Sequence, residues 1–383
     1  MLRLFICSIL FALVSAAYRP GWHPRTCLDQ KYRPSNVSVD KNGFHITGQN
    51  FTSLKGIGYS PIPPSKVTFN ESFDYFTSDF SEIWERDLPL MVAMGINTIR
   101  VWTWDAFRDH TDFLNACLRH NVFVLVPFMF IGEVPPDLTD PDARQQLFVD
   151  WKAFVQSQMS HPAVLGFLIG NELNTLYAEQ KDELFSAINV MIQIRDEVDD
   201  ARHPVSVPLS DQSFISDYVT PYYNWTNIDF WSLQIYRNGQ DGISTVAQQY
   251  YTATVGSANF TMKPLVLTEF GNDALQIPDP DAFLPLGATP PPLPENLTKQ
   301  AENLCQMFQS ARSNQSADGS GGGWTIADVI QGIVVMEWND EWWKGTKPDV
   351  RNQRCPNMRS DLHTYCAVNV SAPGTSKYDM ERK

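Results

Sequence analysis

Val164-Leu165-Gly166-Phe167-Leu168-Ile169-Gly170-Asn171-Glu172-Leu173-Asn174 is an apolar run that stops abruptly on a polar pair. It reads as a buried strand whose last residues deliver Asn171 and Glu172 to a loop. Pro264-Leu265-Val266-Leu267-Thr268-Glu269-Phe270-Gly271 ends the same way, on Glu269. Similar short apolar runs occur at Ser53–Tyr59, Ile96–Trp102, Val122–Phe128, Pro204–Leu209, Ile228–Ile235 and Gly332–Trp338. Helical patterns alternate with them, among them Glu82–Met94, Thr111–His120, Asp142–Met159, Asp182–Asp199, Thr245–Val255 and Thr298–Arg312. Strands alternating with helices imply parallel pairing with crossover helices. Eight such units predict an α/β chain folded as a (β/α)₈ TIM barrel. The alternative, an open doubly wound sheet, would normally carry a Gly-rich phosphate loop after an early strand, and no such motif occurs.

In a barrel the strand tips share one face, so Glu172 at the end of the fourth strand and Glu269 at the end of the seventh face one cavity. Long insertions after the first strand, Ser60–Asp79, and after the seventh, Gln276–Glu295, would wall that cavity. The N-terminal segments Gly43–Ile46 and Asn50–Ser53, flanking Thr47-Gly48-Gln49, are expected to pair as a hairpin and plug the barrel floor. The barrel core spans about 52–343, within a single catalytic domain over 18–383. No amphipathic helix is evident after Trp343, and 344–383 reads as an irregular tail.

Composition narrows the function. Of the 383 residues, 43% are hydrophobic, 12% aromatic and 19% charged, which excludes disorder for most of the chain. A net charge of −14 argues against a nucleic-acid partner and against adhesion to anionic lipid through basic residues. Arg3, the apolar run Leu4–Val14 and Ser15-Ala16-Ala17 make residues 1–17 a secretory signal peptide, too short to span a bilayer. Sequons at Asn36, Asn50, Asn70, Asn224, Asn259, Asn296, Asn314 and Asn369 agree with a secreted, extracellular glycoprotein. The polar tail Ser376–Lys383 lacks a lipid-anchor signal, so no membrane anchor is expected. With Cys7 removed, five cysteines remain, and Cys355–Cys366 is the expected disulfide. Cysteine spacings fit no zinc motif, the seven histidines are scattered, and neither a serine-hydrolase elbow nor a phosphate loop occurs. No metal or cofactor is expected.

Two strand-end carboxylates suit glycoside cleavage. One must be protonated to give a proton to the leaving oxygen; the other must be ionised to attack or to steady an oxocarbenium-like centre. A gap of about 5–5.5 Å between them would mean retention and about 6.5–9.5 Å inversion. Arg100 ends the second strand and Tyr236 the sixth. A cation and a phenol near Glu269 would keep it ionised, and Asn171 could donate to a sugar 2-hydroxyl. Taken singly, either Glu could be the solvated start of a loop, Arg100 a structural ion-pair partner and Tyr236 a packed rim aromatic. Trp102, Trp104 and Trp338 at strand ends suggest a platform for the apolar faces of sugars, against the alternative of core packing. Trp342 and Trp343 divide evenly between the two. Asp105, Glu133, Glu337, Asp340 and Glu341 read by default as solvated loop charges.

These residues resemble clan A of the glycoside hydrolases, the retaining (β/α)₈ enzymes. That resemblance implies that Glu172 is the acid/base, Glu269 the nucleophile, and Asn171, Arg100, Tyr236 and Trp338 their partners. Leu54–Tyr59, Glu85–Leu90, Gly95–Val101, Gly170–Asn174 and Thr268–Asn272 look like the fungal β-1,3-glucanosyltransferases, which cut a wall glucan and join it to another chain. Phe270-Gly271-Asn272 departs from their usual Tyr-Gly-Cys, and no cysteine-rich module like theirs is expected. Trp338-Asn339-Asp340-Glu341-Trp342-Trp343 looks more like barrels related to the family 2 glycosidases. The expected function is a secreted retaining hydrolase or transglycosylase acting on a β-linked polysaccharide or oligosaccharide, leaning to β-glucan. The expected substrate-binding set is Asn171, Arg100, Tyr236, Trp338, Trp102 and Tyr59. A β-mannan hydrolase and a non-catalytic carbohydrate-binding barrel are the alternatives; a binder would need only the aromatics.

Overall fold

The computed structural model describes residues 36–49, 51, 53–62, 74–130, 135–236, 240–255, 262–271, 297–317 and 323–338. The first described elements are a hairpin of β1 (Val37–Asp40) and β2 (Gly43–Ile46), paired antiparallel with Val37 opposite Ile46. The barrel then follows: β3 (Leu54–Gly58), α1 (Ser81–Ala93), β4 (Thr98–Arg100), α2 (Thr111–Arg119), β5 (Phe123–Phe128), α3 (Pro141–Gln158), β6 (Val164–Ile169) and α4 (Lys181–Val198). It continues with β7 (Val205–Ser206), β8 (Pro208–Ser210), β9 (Trp231–Ile235), α5 (Gln240–Val255), β10 (Leu265–Phe270), α6 (Leu297–Ala311) and β11 (Ile330–Val335).

The nine barrel strands are parallel and run β7-β6-β5-β4-β3-β11-β10-β9-β8 around the sheet. The two ends of that order, β7 and β8, are neighbours in sequence, separated only by Val207. Val205 and Ser206 pair with β6, while Pro208–Ser210 pair with β9. The fifth barrel position is therefore one stretch shared between two partners, and the ring of eight closes through it. Pro208 lacks an N–H for the ladder, which fits the interruption there.

The ring is filled by Leu54, Phe123, Leu125, Leu165, Leu168, Phe230, Val266 and Val334, and Val37, Phe44 and Ile46 of the hairpin join this cluster. Phe44 meets the Phe230 ring edge-on at 5.0 Å. The hairpin does close the barrel floor, but its strands differ from those expected: Gly43–Ile46 is the second strand, not the first. The turn chemistry lies upstream, where Asp40 Oδ1 accepts the Asn42 N–H at 2.7 Å and Gly43 takes φ +102°.

Helices cover the outside. Along α1, Trp84, Asp87, Leu88 and Met91 recur at helical spacing and are buried. Asp140 caps α3 by accepting the Asp142 N–H at 2.9 Å, with Pro141 in the first turn. After β8 the chain forms a π-helical turn, Phe214–Val219, and a short helix, Thr220–Tyr222, where no helix was expected. Ser213, Ser216, Asp217 and Pro221 hide the helical period, although Phe214, Tyr218, Val219 and Tyr222 are all buried. The expected irregular tail, the proline-dense insertion, the signal peptide and the Cys355–Cys366 pair lie outside the described residues. Among those described, Cys117 is buried and Cys305 exposed, both as thiols, and no helix is long and apolar enough to cross a membrane.

Candidate active site

The ends of β4, β6, β9 and β10 converge on Glu269, which is 6% exposed. Its Oε1 accepts from Arg100 Nη1 at 2.8 Å, Gln234 Nε2 at 2.7 Å and the Trp102 indole Nε1 at 3.2 Å. Its Oε2 accepts from the Tyr236 hydroxyl at 2.5 Å. Four donors thus hold one carboxylate, three on one oxygen and one on the other. Strand periodicity produces this set: Arg100 and Trp102, like Gln234 and Tyr236, are two residues apart, so each pair points to the same side of its strand.

Arg100 is 1% exposed and has no route to solvent for its charge. Nη1 donates a second bond to the Thr268 carbonyl at 2.8 Å, and Nη2 donates to Asn171 Oδ1 at 2.7 Å. Its guanidinium lies 4.6 Å from the Trp102 ring centroid. Burial pulls the guanidinium below its ordinary value; the charges of Glu269, Tyr236 and Glu172 oppose that pull. A buried cation of this kind is tolerable because it is paired and hydrogen-bonded.

Asn171 Oδ1 also accepts from Gln234 Nε2, at 2.6 Å. Arg100 has only donors, so Asn171 must turn its carbonyl towards Arg100 and Gln234, leaving its amide NH₂ for another partner. Glu172 follows, half-buried, with φ +48° and ψ +39°. The left-handed region costs a non-glycine residue on the order of 1–2 kcal/mol. The turn that holds it there is pinned by Asn174: its Oδ1 accepts the Ser210 N–H at 2.9 Å, and its Nδ2 donates to Ser210 O and Oγ at 3.1 and 3.0 Å. Thr175 closes the turn by donating its N–H to the Glu172 carbonyl at 2.9 Å.

Of the residues expected at the site, Arg100, Trp102, Asn171, Tyr236 and Glu269 meet through these hydrogen bonds. Glu172 lies near enough for its charge to act on Arg100. Trp338 is half-buried at the end of β11, its N–H donating to the Gly58 carbonyl at 2.9 Å. Tyr59 does not join them. It is fully buried, donates to Asp87 Oδ2 of α1 at 2.9 Å and packs edge-on against Phe76. The cause is parity: a side chain at Gly58 would point at Trp102, so Tyr59 points to the helix layer. Trp104 is likewise a core residue, stacked on His110 at 3.7 Å. Glu337 is 6% exposed rather than a solvated loop charge, because two residues past β11 it packs against Gly58, where Trp102 also closes in. Asp105 N–H donates to Asp74 Oδ2 at 2.9 Å, which ties the loop after β4 to Asp74, in the segment between β3 and α1. Glu133, Asp340, Glu341, Trp342 and Trp343 lie outside the described residues. Gln234 was not anticipated; it lies in β9 two positions before Tyr236 and alternates with Ser232 and Tyr236.

A profile of the glucanosyltransferase family, glycoside hydrolase family 72, matches residues 28–283. The 1,3-β-glucanosyltransferase Gas2 of Saccharomyces cerevisiae is 23% identical over 271 residues, 64% of this chain and 47% of its own length. A 1,3-β-glucanosyltransferase of Schizosaccharomyces pombe is 26% identical over 251 residues, 62% of this chain and 44% of its own. The chain therefore spans about half the length of the curated relatives it matches. Among solved structures, Gas2 in complex with laminaritetraose and laminaripentaose has a TM-score of 0.53 at 17% identity, covering 80% of this chain and 60% of that one. A β-glucuronidase of Bacteroides uniformis gives 0.51 at 14% identity, covering 79% and 32%. These two likenesses are of fold.

Proposed function

This chain belongs to the glucanosyltransferase family, and from that premise we propose that it cuts a β-1,3-glucan and transfers the cut end to a second sugar chain by double displacement. Glu269 is the nucleophile and Glu172 the acid/base. The donor set on Glu269 carries this reading. Oε1 is saturated by Arg100, Gln234 and Trp102, so Oε2, held among the described residues only by the Tyr236 hydroxyl, is the oxygen that attacks. The donors, among them the buried Arg100 cation, fix the orientation of the carboxylate for attack.

In the first step Oε2 bonds to the anomeric carbon and the glycosidic C–O bond breaks, while Glu172 gives its proton to the departing oxygen. In the second step Glu172 takes a proton from an acceptor hydroxyl, that oxygen bonds to the anomeric carbon, and Glu269 leaves. Asn171 donates its amide to the sugar 2-hydroxyl, a contact that strengthens in the transition state. Water as acceptor gives hydrolysis and a sugar hydroxyl gives transfer. β-1,3-glucan is the substrate because the two relatives described above are 1,3-β-glucanosyltransferases, one of them solved with laminari-oligosaccharides. The site of action is extracellular: the N-terminal sequence has the form of a signal peptide, and the sequon asparagines Asn36, Asn224 and Asn314 are exposed.

The roles separate by leaving group. Glu172→Gln should lose about 10²–10⁴-fold on laminari-oligosaccharides, the range of general acid catalysis, yet keep the first step on a glucosyl donor whose leaving group needs no proton. Glu269→Gln should lose both. Full activity in either variant on the oligosaccharide would refute the assignment.

A further inference from the structure

Gln234 is 2% exposed and sits on β9 between Ser232 and Tyr236, with Nε2 2.7 Å from Glu269 Oε1 and 2.6 Å from Asn171 Oδ1. Its orientation is determined. Arg100 fixes Asn171 with the carbonyl inward, and Glu269 offers only acceptors, so a flipped Gln234 would set three acceptor oxygens together. The NH₂ group therefore gives one hydrogen to each partner. The other end of the same amide, Oε1, is buried without a hydrogen-bond partner among the described residues. Burying an unpaired carbonyl costs stability. An apolar residue of the same length would fill the space without that cost. The amide is thus poorly explained as a contribution to the fold and well explained by the two acceptors it holds.

We propose that Gln234 is a positioning residue of the glycosyl-transfer reaction, an inference that rests on the functional reading above. By occupying Glu269 Oε1 it directs Oε2 to the anomeric carbon, and by occupying Asn171 Oδ1 it directs the Asn171 NH₂ to the sugar. A neutral amide does this without adding charge beside Glu269. A carboxylate in its place would repel the nucleophile, and an apolar side chain would leave Asn171 Oδ1 to Arg100, and Glu269 Oε1 to Arg100 and Trp102, so that both groups are held less tightly.

The test pairs Gln234→Met with the isosteric Gln234→Glu. The measurements are kcat and KM on laminari-oligosaccharides, thermal melting, and trapping of the glycosyl-enzyme with an activated 2-deoxy-2-fluoro laminari-oligosaccharide read by intact mass. Gln234→Met should lower kcat by about 10- to 100-fold, the worth of one hydrogen bond to an ionised group. KM should move little, the melting temperature should hold or rise, and trapping should slow in step with kcat. Gln234→Glu should lose more activity than Gln234→Met. Wild-type kcat in the Met variant, or a loss of activity that merely follows a loss of folded protein in both variants, would overturn the proposal. Absence of a trapped adduct on wild-type Glu269 would overturn the functional reading and the proposal with it. A wild-type adduct with unslowed trapping in Gln234→Met would overturn the role of Gln234 alone.

Discussion

His161, between α3 and β6, shows how single buried groups tie this chain to pH. Its Nδ1 accepts the Ala163 N–H at 3.1 Å, which fixes the neutral tautomer with hydrogen on Nε2, 3.1 Å from Asn115 Oδ1. Burial lowers its pKa from 6.5 to about 4. Between those values the unfolded chain binds a proton that the native state refuses. The stability it contributes is complete above the unfolded value and lost as pH falls towards the folded one. The loss of unfolding free energy between about pH 7 and pH 5, read by denaturant titration, should be greater in wild type than in His161→Asn by on the order of 1–2 kcal/mol. Equal acid sensitivity in the two proteins would contradict this. Arg100, Asn171, Tyr236 and Glu269, which the structure brings together, were legible in the sequence because each ends an apolar run. Gln234 was not, since an amide inside a strand carries no chemistry until its neighbours are known. Tyr59 was misplaced because strand-end position was weighed without strand parity.

At the level of elements, β3 and β11 meet where Gly58 leaves room for Trp102. A Cβ there would stand 2.7 Å from Trp102 Cη2, 3.0 Å from Met336 Sδ and 3.1 Å from Glu337 Cβ. Gly58→Ala must push the indole away from Glu269 Oε1. Overpacking of this kind costs roughly 1–3 kcal/mol. The variant should melt lower and lose about tenfold in kcat, as for one weakened hydrogen bond to an ionised group; wild-type melting and turnover would refute the close approach. Strands of six apolar residues, such as β5 and β6, were plain in the sequence. The two pieces at 205–210 and the π-helical turn after them were not. Short elements take their form from what they pack on, and their own residues signal little. The hairpin was assigned to the wrong pair of strands because Thr47-Gly48-Gln49 resembles a turn as much as Lys41-Asn42 does.

For the whole molecule, closure of the ring through the split fifth position is what brings β4, β6, β9 and β10 to one cavity. Alternation of strands and helices predicted that architecture, since a parallel sheet covered by helices has few other ways to bury its faces. Substrate identity was less legible, because it depends on loops and on chain beyond the strand ends. The most direct measurement incubates the protein with laminari-oligosaccharide of a single length and sizes the products, wild type beside Glu269→Gln. Products both shorter and longer than the donor, rising with donor concentration and absent in the variant, are the predicted result. A folded wild-type protein that leaves the donor intact, or a Glu269→Gln variant that makes the same products, would contradict the account.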